Sequence, residues 1–134
     1  MLRRLLSTGS QTAPMILRVA TGILFVASSF GKFLHRDAEI RAFDRFGVPW
    51  PEVTVTLVGV VELVGGALLI VGLLTRPAAL ALAANMLGAI ATGGRVDGGV
   101  IHLGLAPVLL VAMLILVRTG AGSRSVDRRW GARR

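Results

Sequence analysis

The residue with the greatest capacity for chemistry is Glu62, a lone carboxylate near the middle of a long apolar stretch. A charged side chain at that depth in a bilayer costs several kcal/mol, so it must be paired, protonated, or turned towards protein or water. It could form an ion pair, relay protons or bind a ligand, or it could act only as a polar clamp between helices. We favour a functional role because ionisable residues inside membrane spans usually mark functional sites.

Two cations of the preceding apolar stretch, Arg18 and Lys32, are the candidate partners of Glu62. They are fourteen residues apart, which is about 21 Å along a helix, and Glu62 falls between their depths. Either long side chain can close most of the gap, so the sequence does not choose between them. The alternative for both cations is to extend to the nearest lipid headgroups.

Three further polar residues are candidates for the same site. Asn85 lies near the depth of Glu62 and could hydrogen-bond the carboxylate, although a structural bond between helices is the more frequent case. His102 lies one turn into the fourth apolar stretch, where it could bind a ligand headgroup, shuttle a proton or serve only as a structural histidine. Arg76 lies in the turn between the second and third stretches.

Small residues surround Glu62 along its own helix. Gly59 and Gly66 share the face of Glu62, and Gly65 adjoins that face. Glycines allow a neighbouring helix to approach closely. We therefore predict that this face packs against another helix.

The elements that hold these residues are four apolar stretches at about residues 15–34, 53–74, 77–94 and 99–117. The chain of 134 residues is 54% hydrophobic and 16% charged, with a mean hydropathy of +0.74. Soluble domains carry about 25% charged residues, and disorder requires low hydrophobicity. The composition thus excludes a disordered chain and argues against a cytosolic enzyme. It predicts an all-α membrane protein, with four transmembrane helices in an up-down-up-down antiparallel bundle.

The connections refine this architecture. In the first loop Ile40, Phe43 and Phe46 form one apolar edge beside charged residues, which predicts a short interfacial helix rather than a disordered polar loop. Between the second and third stretches, Thr75 can cap the third helix, and Pro77 suits its first turn.

The distribution of cations predicts the orientation. Nine cations fall on the side of the two termini, eight of them within or beside segments 1–14 and 119–134 and the ninth, Arg76, in the turn after the second stretch, and five fall on the other side. The positive-inside rule then places both termini in the cytoplasm, with the chain in the inner membrane. The charge of +8 is spread over both ends and a turn, which suits lipid contact better than nucleic-acid binding. We expect the first helix to stay uncleaved, although its basic start resembles a signal peptide.

Several kinds of chemistry are excluded by residue content. The chain has no cysteine, so disulfides, thiolate nucleophiles, iron–sulfur clusters and covalent haem attachment are absent from it. Its two histidines are His35, in a charged loop, and His102, so a haem held by both is not expected. No zinc-ligand spacing, nucleotide-binding loop or nucleophile elbow is present, and no metal site is predicted.

Five segments, in this order and spacing, resemble the DoxX family of small four-helix bacterial membrane proteins. The resemblance covers roughly residues 15–127. The segments are Arg18-x-x-x-Gly22-x-x-Phe25 followed by Gly31-Lys32, Phe46-Gly47-Val48-Pro49, Glu62-x-x-Gly65-Gly66, Gly72-Leu73-x-Thr75-Arg76, and the tail Gly120-x-Gly122-x-x-Ser125-Val126-Asp127.

The resemblance implies a link to redox metabolism. The family takes its name from a small subunit associated with a quinone-linked terminal oxidase and thiosulfate oxidation, and other members are linked to membrane oxidoreductase complexes and oxidative stress. We therefore expect a subunit of a redox-linked complex whose polar site, around Arg18, Lys32, Glu62 and Arg76, takes a quinone headgroup or a sulfur anion. Electrons would come from a partner protein or bound cofactor.

Other functions stay open at the level of sequence. The chain is at most an accessory oxidoreductase subunit, and whether it is catalytic is undecided. The main alternative is a non-enzymatic assembly or chaperone-like factor that packs its glycine-rich faces on another span. A transporter formed by homo-oligomerisation ranks last, because four helices are few for a pathway and no inverted repeat is visible.

Overall fold

Helices account for most of the residues that the computed structural model describes, which are 12–99, 101–122 and 125–131. The start of the predicted N-terminal segment and parts of the basic tail lie outside these ranges. The described residues contain no strand. Their helices are α1 (Thr12–Leu34), α2 (Arg36–Arg45), α3 (Pro51–Val71), α4 (Thr75–Val96), α5 (Ala106–Thr119) and α6 (Val126–Gly131), and a π-helical turn (Ile101–Leu105) precedes α5.

The surface of the helices is apolar, as expected for a protein that spans a bilayer. Helices α1, α3 and α4 are long and apolar enough to cross a membrane, and Leu103–Thr119 forms a shorter apolar helix. Large apolar side chains such as Ile23, Leu57, Val64 and Val111 are exposed on them. Buried positions include charged and small residues as well as large apolar ones. The predicted all-α membrane architecture is therefore confirmed.

Helix α1 packs antiparallel against α3 through a pair of glycines. A Cβ atom on Gly66 would lie 2.8 Å from the carbonyl oxygen of Gly22, and a Cβ on Gly22 would lie 2.7 Å from that of Gly66. No residue with a side chain fits at either position without a shift of the backbone. This contact fixes the axial register between the two helices.

The other two glycines of the predicted packing face are also covered within the chain. The ring of Phe33, in α1, lies 2.9 Å from where a Cβ of Gly59 would stand. Leu82, in α4, lies 3.1 Å from the corresponding point on Gly65. In the structure the helices that pack on this face are the chain's own α1 and α4.

The turn between α3 and α4 differs from the sequence-based expectation. Helix α3 ends at Gly72, whose φ of 73° favours glycine. Helix α4 has Leu74 as its N-cap, with φ 49° and no side-chain cap of its own. The prediction that Thr75 caps the helix is wrong: Thr75 is already helical, and its buried hydroxyl has no hydrogen-bond partner among the described residues.

The fourth apolar stretch is not one regular α-helix. Pro107 has no N–H, so it cannot donate to the carbonyl of Leu103 as the α-helical pattern requires. The chain forms the π-helical turn over these residues and becomes α-helical only from Ala106 onwards.

The predicted helix of the first loop exists as α2. It ends before Gly47, which has φ 77°. Phe43 and Phe46 lie on one side of it, with ring centroids 6.3 Å apart. Its position at the membrane interface stays a prediction, as does the cytoplasmic location of both termini.

Candidate ligand-binding site

The structure pairs Glu62 with Lys32. Lys32 Nζ lies 3.1 Å from Glu62 Oε2, and their side chains are 12% and 4% exposed. Asn85 Nδ2 donates a 3.0 Å hydrogen bond to the other carboxylate oxygen, Oε1. Three helices, α1, α3 and α4, therefore each contribute one polar group to a single buried cluster.

The hydrogen bonding of this cluster is incomplete. Lys32 Nζ donates to the hydroxyl of Ser28, 3.3 Å away and one helical turn earlier. The contact between Lys32 and Glu62 Oε2 has the distance of an ion pair but not the alignment of a hydrogen bond, and Oε2 accepts none from any described residue. A carboxylate oxygen with unused lone pairs can accept an N–H or O–H from a bound ligand, or take up a proton.

The register of α1 against α3 explains the choice of partner. With Gly22 beside Gly66 in an antiparallel pair, residues before Gly66 on α3 face residues after Gly22 on α1. Glu62 is one turn before Gly66, so it is level with about residue 26 of α1, between Arg18 and Lys32. Helical side chains lean towards the N-terminus of their helix, so the Lys32 side chain reaches back towards Glu62 whereas the Arg18 side chain points away from it.

Beside the cluster lies a cavity of about 580 Å³, bounded by α1, α2, α3 and α4. Its polar lining consists of Ser28, Lys32, Glu39, Thr54, Glu62, Asn85, Thr92 and Asp97. The remaining lining is apolar and includes Phe43, Phe46, Val48, Val58, Ala84, Gly88 and Ala89. A small apolar pocket with a few convergent polar groups is the usual form of a small-molecule site.

Helix α2 is held over one end of the cavity by two arginines. Arg45 Nε donates to Asp97, the C-cap residue of α4, at 3.1 Å, and this hydrogen bond raises the pKa of Arg45 above its ordinary value. Arg45 also stacks on the ring of Phe46, with 5.4 Å from Cζ to the ring centroid. Arg36 donates to the hydroxyl of Thr56 at 2.7 Å and to the carbonyl of Glu52 at 3.0 Å.

Arg18 forms a separate structural site. It is 1% exposed, and its guanidinium donates to the carbonyl oxygens of Leu69, Ile70 and Ala121 at 2.8, 2.7 and 2.8 Å. The first two are carbonyls of the last turn of α3, which have no partner within the helix. Leu69 is seven residues beyond Glu62, about 10 Å along the helix axis. Arg18 thus caps α3 and does not join the carboxylate.

Arg76 also lies apart from Glu62. It is in the first turn of α4, nine residues or about 13 Å before Asn85. Its guanidinium contacts the carbonyl of Arg118 at 3.4 Å and borders a cleft beside Thr75, Gly120 and Asp127. The polar site predicted around four residues therefore divides: Lys32 and Glu62 are together, and Arg18 and Arg76 are at the opposite end of the bundle.

Asp127 performs the capping role that had been assigned to Thr75. Its carboxylate accepts hydrogen bonds from the backbone N–H groups of Leu74 and Thr75 at 2.7 and 2.8 Å. Its own N–H donates to the carbonyl of Gly72 at 2.9 Å. The aspartate is 52 residues from Thr75 in the chain, so local sequence reasoning missed this cap, although Asp127 is the last residue of the tail segment that resembles the family pattern.

Two other residues of the site had weaker signals in the sequence. Ser28 precedes Lys32 by four residues, a spacing that brings both to one helix face. Thr92 lines the cavity from α4, one turn after Gly88, and its hydroxyl donates to the carbonyl of Gly88. His102 lies in the π-helical turn, and its side chain is outside the described part of the chain.

Apolar helices that enclose a buried ion pair define a multi-span integral membrane protein. The chain belongs to the DoxX family, since the family model described as DoxX matches residues 13–95. It is 33% identical to the uncharacterized membrane protein Rv3486 of Mycobacterium tuberculosis, over 97% of this chain and 88% of that protein. It is 28% identical to the inner membrane protein YphA of Escherichia coli, over 86% of this chain and 88% of the relative.

A third relative, matched over a shorter part of the chain, has a name that indicates a type of reaction. The chain is 35% identical to the putative oxidoreductase CatD of Bacillus subtilis, over 58% of this chain and 57% of the relative. No solved structure matches the chain.

Proposed function

We propose that this protein is the ligand-binding membrane subunit of a redox-linked complex, with Lys32, Glu62 and Asn85 holding the polar part of a quinone or sulfur anion. The observation that carries the proposal is the incompletely hydrogen-bonded carboxylate of Glu62, buried beside a cavity of about 580 Å³. A purely structural clamp would be expected to satisfy both of its oxygens.

The three side chains suit a quinone headgroup. A quinone carbonyl accepts hydrogen bonds, and both Lys32 and Asn85 carry donors. Reduction of a quinone takes up two electrons and two protons, and the hydroquinone then has O–H groups that can donate to Glu62 Oε2. A carboxylate that can accept a proton at this point is suited to proton transfer. For a sulfur anion, the ammonium group of Lys32 would supply the attraction.

A partner or bound cofactor supplies the electrons in this proposal. The similarity to CatD, a putative oxidoreductase, supports a redox role here, and the similarity to the inner membrane protein YphA supports the same compartment. The cation distribution supports an orientation with both termini in the cytoplasm. In that orientation, α2 and the end of the cavity next to it are on the side of the membrane opposite the cytoplasm.

The test is mass spectrometry of the tagged protein extracted from native membranes in mild detergent, with both lipids and proteins identified. We expect a quinone or a redox protein to co-purify, and to be lost from Glu62→Gln. Glu52→Gln is the matched control, because Glu52 is exposed and does not line the cavity. A partner without redox chemistry that Glu62→Gln retains would refute the proposal and favour the assembly-factor alternative.

A further inference from the structure

We propose that the cleft beside Arg76 is a second binding site, which takes a phosphate group at the end of the bundle opposite the Lys32–Glu62 pair. This cleft has a volume of about 540 Å³. Its lining comes from the turn between α3 and α4, the first turn of α4, the end of α5 and the tail that follows α5. It shares no lining residue with the cavity beside Glu62, so the two sites can be tested separately.

The guanidinium of Arg76 is the first group in the cleft that suits an anion. Its Nη2 donates one long hydrogen bond, 3.4 Å, to the carbonyl of Arg118. Among the described residues, Arg76 forms no ion pair with a carboxylate. The guanidinium lies beside Gly120, where a Cβ would be 3.4 Å from Nε. Arginine carries its N–H donors in a planar fork that can bind two oxygens of a phosphate together. Most donors of Arg76 are therefore available to a ligand.

The hydroxyl of Thr75 is the second group that indicates a ligand. Thr75 lines the cleft and is fully buried, and its hydroxyl oxygen has no hydrogen-bond partner in the described part of the chain. Buried polar groups nearly always have such a partner, because leaving one unpaired costs about 1–3 kcal/mol. A phosphate held by Arg76, or a water molecule bound to that phosphate, supplies the acceptor that this hydroxyl lacks.

The one carboxylate in the described lining, Asp127, does not prevent an anion from binding. It accepts hydrogen bonds from the backbone N–H groups of Leu74 and Thr75, at the positive end of α4. It also interacts electrostatically with the buried cation Arg18. With Arg18 and Arg76 set against Asp127, this end of the bundle has one positive charge in excess.

The position of the cleft favours the phosphate of a lipid headgroup over soluble phosphate. Helices α3 and α4 are both long enough to cross a bilayer, and the cleft lies at the turn that joins them. The ends of spanning helices lie near the headgroup layer. Leu80 of α4 is exposed one turn after Pro77 and lines neither cavity. An acyl chain can therefore follow α4 while its headgroup is bound in the cleft.

The test measures two probes on the detergent-purified full chain. Binding of dioleoyl phosphatidylglycerol is measured by native mass spectrometry, and binding of sodium phosphate by calorimetry. We expect the lipid to bind, with a Kd about tenfold weaker in Arg76→Gln, which loses the charge and the fork. Arg118→Gln is the matched control. It removes the same charge at the same end of the bundle, but Arg118 is exposed and does not line the cleft. Its Kd should stay unchanged.

A second variant, Thr75→Val, removes the hydroxyl and keeps the shape of the side chain. Since this hydroxyl bonds no other described residue, we expect the variant to fold and to melt at no lower a temperature than the unmodified chain. Its Kd for phosphatidylglycerol should be about threefold weaker, because the bond to the ligand is lost. This variant tests the site even if Arg76→Gln does not fold.

The two probes distinguish the source of the phosphate. Binding of the lipid alone identifies a headgroup site, and binding of sodium phosphate alone identifies a site for a soluble ligand. If neither probe binds the unmodified chain, no phosphate site exists. Equal weakening in Arg76→Gln and Arg118→Gln would also refute the proposal, because binding would then reflect only the general charge of this end. If Thr75→Val binds as tightly as the unmodified chain while Arg76→Gln does not, the role given to the hydroxyl is wrong.

Discussion

Removing the charge of Lys32 should destabilise the protein more than removing the charge of Glu62, and the two losses should not add. Lys32→Met leaves a carboxylate that is 3% exposed with only Asn85 as a polar partner. Glu62→Gln keeps a group able to bond Asn85, and it leaves an ammonium that is 12% exposed and still bonded to Ser28.

The geometry gives the size of the effect. At the 3.1 Å separation of the two charges, and with an effective dielectric constant of about 20, the Coulomb attraction is about 5 kcal/mol. Relaxation and water in the cavity reduce the loss that a single variant shows. We expect Lys32→Met to lower the free energy of unfolding by about 3 kcal/mol. Glu62→Gln should lower it by about 2 kcal/mol, because Lys32 keeps its bond to Ser28.

The assay is unfolding in mixed micelles of sodium dodecyl sulfate, monitored by circular dichroism, for both single variants and the double variant. The double variant carries two neutral side chains of similar volume, so it should lose less than the sum of the singles, with a coupling energy of about 2 kcal/mol. The control is the same cycle on Arg45→Met and Asp97→Asn, whose ion pair is exposed and screened by salt. Additive losses at Lys32 and Glu62 would refute the reasoning that the pair is buried and electrostatically coupled.

Three further variants test the remaining contacts. Asp127→Ala should lower the free energy of unfolding by about 1–2 kcal/mol through loss of the cap on α4, measured by thermal melting against Asp44→Ala, an exposed carboxylate on α2. Gly66→Leu should abolish the folded protein on size-exclusion chromatography, because its Cβ alone meets a backbone oxygen at 2.8 Å, whereas Gly88→Leu should elute normally. Arg18→Met leaves three carbonyl groups without their donor and should cost about 3 kcal/mol in detergent unfolding, while the Kd for any ligand of the cavity stays unchanged.

The sequence predicted the three membrane-length helices well because each apolar stretch is long enough to cross a bilayer, and hydropathy reports such stretches directly. It also predicted α2, whose apolar edge recurs at helical spacing. It could not choose between Arg18 and Lys32. The two residues are fourteen apart and lie on nearly the same helix face, so the axial register of α1 against α3 and the lean of the side chains along the helix together distinguish them.

That register depends on the contact between Gly22 and Gly66, which is a tertiary contact between two helices and has no local sequence signal. The sequence analysis had singled out both glycines, Gly66 for close helix packing and Gly22 as part of the segment that resembles the family. Had they been paired with each other, Glu62 would have been placed level with about residue 26, and the lean of helical side chains towards the N-terminus would then have favoured Lys32 over Arg18. The cap from Asp127 had no comparable signal, because a local motif cannot report a partner 52 residues away.

The contact of Arg18 with Ala121 has a consequence for biosynthesis. The donor and its acceptor are 103 residues apart in the chain, and translation proceeds at roughly 5–20 residues per second. For about 5–20 s after Arg18 is synthesised, its guanidinium therefore lacks one of its acceptors while the helices between are being inserted. During that interval the nascent chain needs headgroups, water or the insertion machinery to solvate the cation. The final closure of the bundle is thus a late event, which follows synthesis of the tail.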